Sequence, residues 1–398
     1  MNNINNINIE TLTPVHIGSG RSLNPNFEYI FHRKNAPKIL SVIDDSKVLD
    51  VIGEEYLGQW LSIIDKEENL IDLLEMRKPN LIPEDIAHRI IEVVKLGPSE
   101  TSPLKEQLHA GVWQKPMIPG SSLKGSIRTA ILRKLILDDP HFAQQIDKYM
   151  QRRGNKVRFK DQQIIANYFG KKDRTNFRNE IQLDANRDFM RLIRVADAYF
   201  PNLTECHKLE IINESQRGWS IKEEESTYVE CIPKGIITNS SIQIPQQLLE
   251  LMLKGKFPKT EMTKKRKDLF SISMLFPIIN NCTLALLDQE ISFWETENNP
   301  KAIGDYLEIL LELETEIKAT GKEKSDTCIM RVGAGSGWDF MTGSWPSITK
   351  PEMLTSDAWH KLKVAVQKKD YRGNMSFPKT RKLIVGGMPL GFVKIKAL

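Results

Sequence analysis

The chain has 398 residues, of which 40% are hydrophobic and 27% are charged. This length is typical of about two ordinary domains, and this balance favours a packed globular protein and excludes global disorder. No stretch approaches the roughly 18 uninterrupted apolar residues of a membrane span, and the first ten residues lack the basic and apolar regions of a signal peptide. We therefore expect a cytoplasmic protein without membrane contact.

The net charge of +5 is unevenly distributed along the chain. Residues 141–180 contain ten Lys or Arg against four acidic residues, and residues 361–398 contain ten against one. These stretches carry +6 and +9, so the rest of the chain carries −10. Such asymmetry indicates a basic surface that meets a polyanion, although solvated helix faces would give the same pattern.

The cysteines predict neither a disulfide framework nor a zinc site. Cys206, Cys231, Cys282 and Cys328 are widely spaced and form no C-x-x-C pair. We expect reduced core thiols, as in a cytoplasmic protein, and no metal.

The first half of the chain begins as a strand and continues through two predicted insertions. Apolar alternation predicts a strand over residues 4–12, followed by a glycine loop to residue 20. Helical spacing from residue 46 to about 95 predicts a helical insertion over about 46–100. Proline, glycine and two serines predict a helix from 120 to about 137, and a basic insertion with interleaved aromatic residues follows over about 141–180.

The rest of the chain alternates strands and helices, and its last third repeats this plan. Strands are predicted over 189–200, 209–213, 226–232, 328–332 and 392–395, and helices over 243–253, 305–318 and 357–367. Strand, glycine loop and helix thus occur twice, so we predict an α+β fold of two modules, over residues 1–250 and 251–398.

Nucleotide-binding templates do not fit the glycine motifs. Lys124 precedes Gly125 instead of following it, which excludes the phosphate loop of NTPases, and Trp338 replaces the third glycine of a dinucleotide fingerprint. His16, beside a flexible loop, could serve as a general base, but a structural or phosphate-contacting role is favoured because no acid partner lies near it in sequence.

The remaining pattern is typical of RNA binding. A Gly-Ser-Ser helix start offers N–H groups to a phosphate, and Lys124, Arg128 and Arg133 add positive charge on the same helix. Exposed aromatic side chains can stack on unpaired bases, with core packing as the alternative for each. The aromatic candidates are Trp338, Trp345, Tyr371 and Phe377.

Four segments together resemble the RAMP proteins of type III CRISPR systems. They are TPVHIGSG (residues 13–20), IPGSSLKGSIR (118–128), RVGAGSGW (331–338) and GGMPLGF (386–392). Their order, with KTR at 379–381, is most similar to the fifth-subunit family of type III-A (Csm) effector complexes. The resemblance extends from residue 9 to 396, with divergent insertions between the motifs.

The resemblance implies two RRM-like ferredoxin folds and a subunit without cofactor that caps the filament near the 3′ end of the CRISPR RNA. It implies a role in guide maturation and complex assembly, with the other Csm subunits, especially the repeated filament RAMP subunit, and RNA-trimming nucleases as partners. Related filament subunits cut target RNA with an Asp in the loop after H-I-G. Here no Asp precedes Asp44, and Glu28 is only a weak substitute, so no cleavage is expected.

The leading hypothesis is therefore a non-catalytic RNA-binding subunit. One alternative is a metal-independent RNA-processing endonuclease that uses His16, and another is a scaffold whose loops contact neighbouring subunits. The residues that we predict to contact RNA are His16, Gly18, Ser19, Gly20, Arg21, Gly120, Ser121, Ser122, Lys124, Gly125, Arg128, Arg331, Gly333, Gly335, Gly337, Trp338, Lys379, Arg381, Gly386 and Gly387.

Overall fold

The computed structural model describes most of the chain. It covers residues 3–398 apart from 34, 100, 112–113, 143–149, 154–155, 160, 171–187, 216, 255–268, 299, 321–325 and 345–377. The predicted helix over 357–367 and the candidates Trp345, Tyr371 and Phe377 lie outside the described residues, as does much of the basic insertion.

The described residues form eight α-helices. They are α1 (Asp45–Ile52), α2 (Leu57–Asp65), α3 (Ile71–Arg77), α4 (Gly120–Leu137), α5 (Asp161–Phe169), α6 (Gln246–Leu253), α7 (Ile272–Thr296) and α8 (Tyr306–Ala319).

The same residues form twenty strands. They are β1 (Asn3–Thr11), β2 (Gly18–Leu23), β3 (Tyr29–His32), β4 (Ile39–Ile43), β5 (Ala87–Val93), β6 (Leu104–Gln107), β7 (His109–Ala110), β8 (Lys115–Ile118), β9 (Met150–Arg153), β10 (Lys156–Phe159), β11 (Arg194–Val195), β12 (Ala198–Tyr199), β13 (Glu205–Ser215), β14 (Gly218–Ile221), β15 (Thr227–Cys231), β16 (Ile237–Ile244), β17 (Thr327–Arg331), β18 (Thr380–Ile384), β19 (Met388–Pro389) and β20 (Phe392–Ala397).

A five-stranded antiparallel sheet, in the order β11-β16-β1-β20-β17, forms the centre of the molecule. The first and last strands are neighbours in it, since Asn8 pairs with Asn239 on one side and with Lys396 on the other. Strands from both predicted modules therefore share one sheet. The α+β class is confirmed, whereas the division into two RRM-like ferredoxin folds at residue 250 stays a prediction.

Both faces of this sheet are buried at β17. Cys328 and Met330 join a core with α4 and the first part of α7, whereas Ile329, between them, joins a second core with the end of α7 and with α8. The outer edge of β17 is closed by a helix side chain: Asn280 Oδ1 accepts from Ile329 N at 2.9 Å, and its Nδ2 donates to Thr327 O at 3.0 Å. A strand edge that would otherwise expose unpaired backbone groups is thereby satisfied.

A second, ten-stranded sheet lies beside the first, with the order β2-β6-β15-β13-β5-β4-β3 and with β14, β18 and β19 attached through β13 and β18. The helices α1 to α3 pack on β3 and β4 through Trp60, Leu70 and Leu74. The predicted helical insertion is confirmed only as far as Arg77, because residues 87–93 form strand β5 of this sheet.

Most other predicted elements are confirmed, including β1, β13, β15, β17, β20 and the helices α4, α6 and α8. The strand predicted over 189–200 is wrong for its first part, where Phe189–Leu192 form a 3-10 turn capped by Asp188. All four cysteines are buried and free, as expected. Among the described residues no helix is long and apolar enough to cross a membrane.

Candidate functional site

Hydrogen bonds to backbone carbonyl groups bring the four motif segments to one end of the central sheet. Gly391 N donates to Pro14 O at 2.9 Å, and Ala334 N donates to His16 O at 2.9 Å. Helix α4 joins them because Ser126 Oγ donates to Arg331 O at 2.6 Å. We call this region the glycine rim; it consists of residues 13–20, 333–337 and 386–391 and the first turns of α4.

Two glycines of the rim allow these close approaches. Gly333 has φ +80°, and a Cβ atom there would lie 2.5 Å from the carbonyl oxygen of His16. Gly391 has φ +92°, and a Cβ atom would lie 2.0 Å from the carbonyl oxygen of Val332. Any other residue would be strained in its backbone and would collide with the neighbouring chain. These glycines are thus required for one segment to contact the next.

Arg331 shapes the loop that follows it. Its Nε donates to Leu390 O at 2.8 Å, its Nη2 donates to Gly335 O at 3.1 Å, and its guanidinium lies over the rings of Phe340 and Phe392. Burial lowers the pKa of Arg331. The structure therefore places this predicted RNA contact inside the protein, where it holds the 333–337 loop.

His16 is also an internal residue, with 3% of its surface exposed. Its Nδ1 lies 2.7 Å from the carbonyl oxygen of Glu230 and must donate, because that oxygen can only accept. Burial lowers the pKa of His16, which favours the neutral ring. His16 thus fixes the turn between β1 and the exposed Gly18 and Gly20.

A buried ionic network packs against this turn and stabilises it. Arg89 donates through Nε and Nη2 to the two carboxylate oxygens of Glu230, at 3.0 and 3.1 Å, and through Nη2 to Glu106 at 2.9 Å. Glu106 in turn accepts from Ser19 Oγ at 2.8 Å, so the network reaches the glycine loop. Glu106 also has a lowered pKa: burial, the largest influence, acts to raise it, but the hydrogen bonds from Ser19 and Arg89 together outweigh that effect.

Sequence reasoning did not identify Arg89, Glu230 or Lys105 as part of the site. Arg89 and Glu230 lie 141 residues apart in sequence, and neither residue belongs to a recognisable motif. Lys105 is exposed on β6 opposite Ser22, and its charge is close enough to contribute to lowering the pKa of His16. Lys105 lies outside both basic stretches, residues 141–180 and 361–398, so the charge distribution gave no signal for it.

The start of α4 is more occupied than the sequence indicates. Gly120 N donates to the Asp197 carboxylate at 2.7 Å, and Ser122 N donates to Pro119 O at 2.9 Å. The expectation of a helix start with unpaired N–H groups is therefore wrong for these two groups, because the exposed Asp197 carboxylate and the Pro119 carbonyl already accept from them at the positive end of the helix. Ser121 is exposed, and outside the backbone of α4 no described residue has a heavy atom within 4 Å of the position that a Cβ atom of Gly125 would take.

The basic residues of α4 differ in their surroundings. Arg128 donates to Asp188 at 2.5 Å and stacks on Phe169 at 4.1 Å, so its charge is largely balanced. Lys124 is half-buried, and burial lowers its pKa. Arg133 is more deeply buried, which lowers its pKa as well. Lys124 is the cation of this helix that lies nearest to the exposed Ser121 in sequence.

Arg381, on β18 before the last motif, is neutralised by the protein itself. Arg381 contacts the Glu290 carboxylate with two nitrogens, at 2.5 and 2.9 Å, and lies over the rings of Phe293 and Trp294. Lys379 is exposed, Gly386 is half-buried and Gly387 is buried. Among these predicted contacts Lys379 is thus the one that presents a charge to solvent.

The remaining candidates of the first loop lie at the surface. Arg21 has 66% of its side chain exposed and contacts Glu28 at 3.4 Å. Glu28 Oε2 also accepts from Asn24 N at 2.7 Å, so this carboxylate stabilises its own turn.

The candidates of the 333–337 loop and the residue after it differ in exposure. Gly337 is exposed, and Gly335 and Trp338 are half-buried.

A family model describes this arrangement of segments. The model of the RAMP superfamily matches residues 8–338, most of the chain and three of the four motif segments. The chain belongs to the RAMP superfamily. Among curated proteins no sequence matches significantly.

Two solved structures have the fold of this RAMP protein. One is a chain of the Csm–crRNA–target RNA ternary complex of a type III-A CRISPR-Cas system, with a TM-score of 0.67 and 20% identity over 100% of both chains. The other is Csm5 of T. onnurineus, with a TM-score of 0.66 and 19% identity over 97% of this chain and 99% of that one. At these identities the likeness establishes the fold, which extends over the whole chain.

Proposed function

We propose that this RAMP protein is a non-catalytic subunit of a type III-A (Csm) CRISPR effector complex and binds the CRISPR RNA at the glycine rim. The observation that carries this proposal is the convergence of four glycine-bearing segments at one end of the sheet, where Pro14 O, His16 O and Arg331 O each accept a hydrogen bond from another segment. Glycine loops let backbone groups approach a phosphodiester chain closely. The likeness to a chain of a Csm–crRNA complex supports the same assignment.

In this proposal the subunit caps the filament near the 3′ end of the guide RNA and supports guide maturation and assembly. Its partners are the other Csm subunits, above all the repeated filament RAMP subunit, together with trimming nucleases in the cytoplasm. The support for this position is the motif resemblance and the likeness to Csm5 over nearly the full length of both chains.

Exposed cations at the rim supply the attraction to phosphates. Arg21 and Lys105 lie beside the first glycine loop, and Lys379 lies between Pro378 and Thr380, which line a cavity together with the 333–337 loop. Contacts of this kind fix the RNA backbone without reading its sequence, and the binding that they produce weakens as salt rises. We therefore expect tight binding of single-stranded RNA at low salt with a steep salt dependence.

The geometry does not favour an endonuclease that uses His16. The ring is almost fully buried, its Nδ1 is committed to Glu230 O, and its backbone is held by Ala334. A general base must reach the proton that it abstracts, directly or through one water. We expect no cleavage of repeat-containing RNA by the purified protein.

A fluorescence anisotropy titration tests the proposed RNA interface. The triple variant Arg21→Ala, Lys105→Ala, Lys379→Ala should bind a single-stranded RNA at least tenfold more weakly at about 150 mM salt, and its log–log salt slope should be shallower by roughly 2. The control variant, Lys66→Ala with Lys254→Ala, removes exposed lysines at the ends of α2 and α6, which carry no motif residue. Equal affinities of the triple variant and the control would contradict this interface.

A further inference from the structure

A cavity of about 470 Å³ lies under the second glycine loop. Its walls include the backbone of Gly335 and Gly337, the rings of Trp338 and Phe340, and the side chain of Asp339. This volume accommodates a planar heterocycle, and cavities of this size with a few polar groups are typical of small-ligand sites.

Asp339 is the polar group of the cavity that the fold leaves unsatisfied. Its Oδ1 is buried and has no hydrogen-bond partner among the described residues. Burial raises the pKa of its carboxyl to about 6, even though Arg381, Arg133 and Arg331 each act to lower it. A buried acceptor without a partner costs stability, so its presence in the wall of a cavity points to a ligand that donates to it.

The two arginines in the cavity wall cannot be that donor. Arg331 donates to Leu390 O and Gly335 O, and Arg381 pairs with Glu290 through two nitrogens. The ring of Tyr306 also lines the cavity, and its hydroxyl interacts with Glu290 and Arg331. The two arginines are engaged with protein groups, so the buried Oδ1 of Asp339 and the aromatic rings favour a ligand that donates hydrogen bonds, while the exposed Lys382 in the same wall suits a phosphate attached to that ligand.

We propose that this cavity receives an unstacked nucleobase of the bound RNA and that Asp339 accepts hydrogen bonds from the N–H donors of its Watson–Crick edge. Guanine fits best, because its N1–H and 2-amino group are adjacent donors that a carboxylate accepts together. Single-stranded RNA is recognised in this way in general, by stacking on aromatic rings and hydrogen bonding to base edges. The inference rests on the proposed RNA-binding function. It adds a preference for one base to binding of the RNA backbone that is otherwise independent of sequence.

The test compares alternating oligonucleotides, so that any binding register places the tested base near the cavity. Four labelled RNAs of about 12 nucleotides are titrated: all uridine, and uridine alternating with guanosine, inosine or adenosine. The wild-type protein should bind the guanosine RNA about fivefold or more tightly than the adenosine RNA, with inosine between them because it lacks the 2-amino group.

The variant Asp339→Asn distinguishes recognition of the base from binding of the RNA backbone. This variant should bind the guanosine and adenosine RNAs equally, and its affinity for the all-uridine RNA should fall by a smaller factor than its affinity for the guanosine RNA, because uracil offers one N–H donor, N3–H, where guanine offers two. The control Asp326→Asn alters an exposed carboxylate before β17 and should keep the guanosine preference. A wild type without guanosine preference, or a preference that survives in Asp339→Asn, would overturn the proposal. Failure of the all-uridine RNA to bind wild type would instead overturn the RNA-binding function itself.

Discussion

The backbone N–H of Ala334 donates a hydrogen bond to the carbonyl oxygen of His16 at 2.9 Å. This single contact joins the first glycine loop of the chain to the third motif, more than three hundred residues later. It requires Gly333 to approach His16 at a distance that no side chain permits. The glycine rim is therefore one surface built from both ends of the chain.

Gly333→Ala should damage the rim by two routes. The alanine would have a strained positive φ, and its Cβ atom would collide with His16 O. We expect a loss of roughly 2–3 kcal/mol in the free energy of unfolding, measured with urea, and weaker RNA binding. The matched control is Gly343→Ala, where a Cβ atom meets no described residue within 4 Å, and it should change stability by less than about 0.5 kcal/mol. Equal stability of the two variants would contradict the packing described for the rim.

Gly125→Ala should raise stability and lower RNA affinity together. An alanine in the interior of α4 is favoured over glycine by about 0.5–1 kcal/mol, and the protein leaves room for its methyl group. The same methyl group would fill space through which we propose that RNA approaches the helix, so we expect affinity to fall threefold or more by anisotropy.

Gly58→Ala is the control for this pair of measurements. Gly58 lies in α2, and outside that helix's own backbone a Cβ atom there also meets no described residue within 4 Å. It should stabilise the protein to a similar degree without changing RNA affinity. If Gly125→Ala behaved identically to Gly58→Ala in both measurements, the first turns of α4 would not contact RNA.

Removal of Glu230 should be severe because it leaves Arg89 buried without its main partner. Glu230→Ala is expected to cost roughly 3–5 kcal/mol in urea unfolding, as for other broken buried ion pairs. Glu92→Ala, at an exposed position on β5, should be nearly neutral. The double variant Arg89→Met, Glu230→Leu should recover part of the loss; a Glu230→Ala variant as stable as Glu92→Ala would show that the network is not needed.

Asp339→Asn should stabilise the protein in a pH-dependent manner. The pKa of Asp339 is raised to about 6 in the folded state, so the folded protein favours the neutral carboxyl. The stability that this neutral form contributes is lost as pH rises through that value. The variant should match wild type near pH 4 and exceed it by up to roughly 3 kcal/mol above pH 7. The groups that influence this carboxyl, Arg381, Glu290, Arg133 and Arg331, are present in both proteins. Identical urea midpoints at pH 7.5 would contradict an unsatisfied buried carboxylate.

Local patterns predicted much of the fold. Three elements could be predicted from their own residues: β1 from its alternation, α4 from its Pro-Gly-Ser start and α8 from its periodicity. Each of these segments has a local preference for the structure that it adopts. The helix α7 was not predicted at all, although it is the longest in the described part of the chain. Its apolar residues contact two cores, so they do not form the single stripe of an amphipathic helix.

Strand β5 illustrates why long-range partners limit such predictions. Ala87, Arg89, Ile91 and Val93 are all buried at alternate positions, but an arginine in an inward position hides the period of two. Arg89 is tolerated there because Glu230 and Glu106 pair with it. The sequence did not indicate that either glutamate pairs with Arg89. It likewise did not indicate that Asp197 accepts from Gly120 N at the start of α4.

Recovery of the chain with its RNA tests the central proposal most directly. The tagged protein is expressed together with a CRISPR array and the other subunits of a type III-A complex, and the RNA that co-purifies is sequenced at its 3′ ends. We predict that guide RNA is recovered with the wild-type chain, that recovery falls for Arg21→Ala, Lys105→Ala, Lys379→Ala, and that guide 3′ ends lengthen when the subunit is omitted. A complex that assembles without recovering this chain, with guide ends unchanged by its omission, would contradict the proposed function.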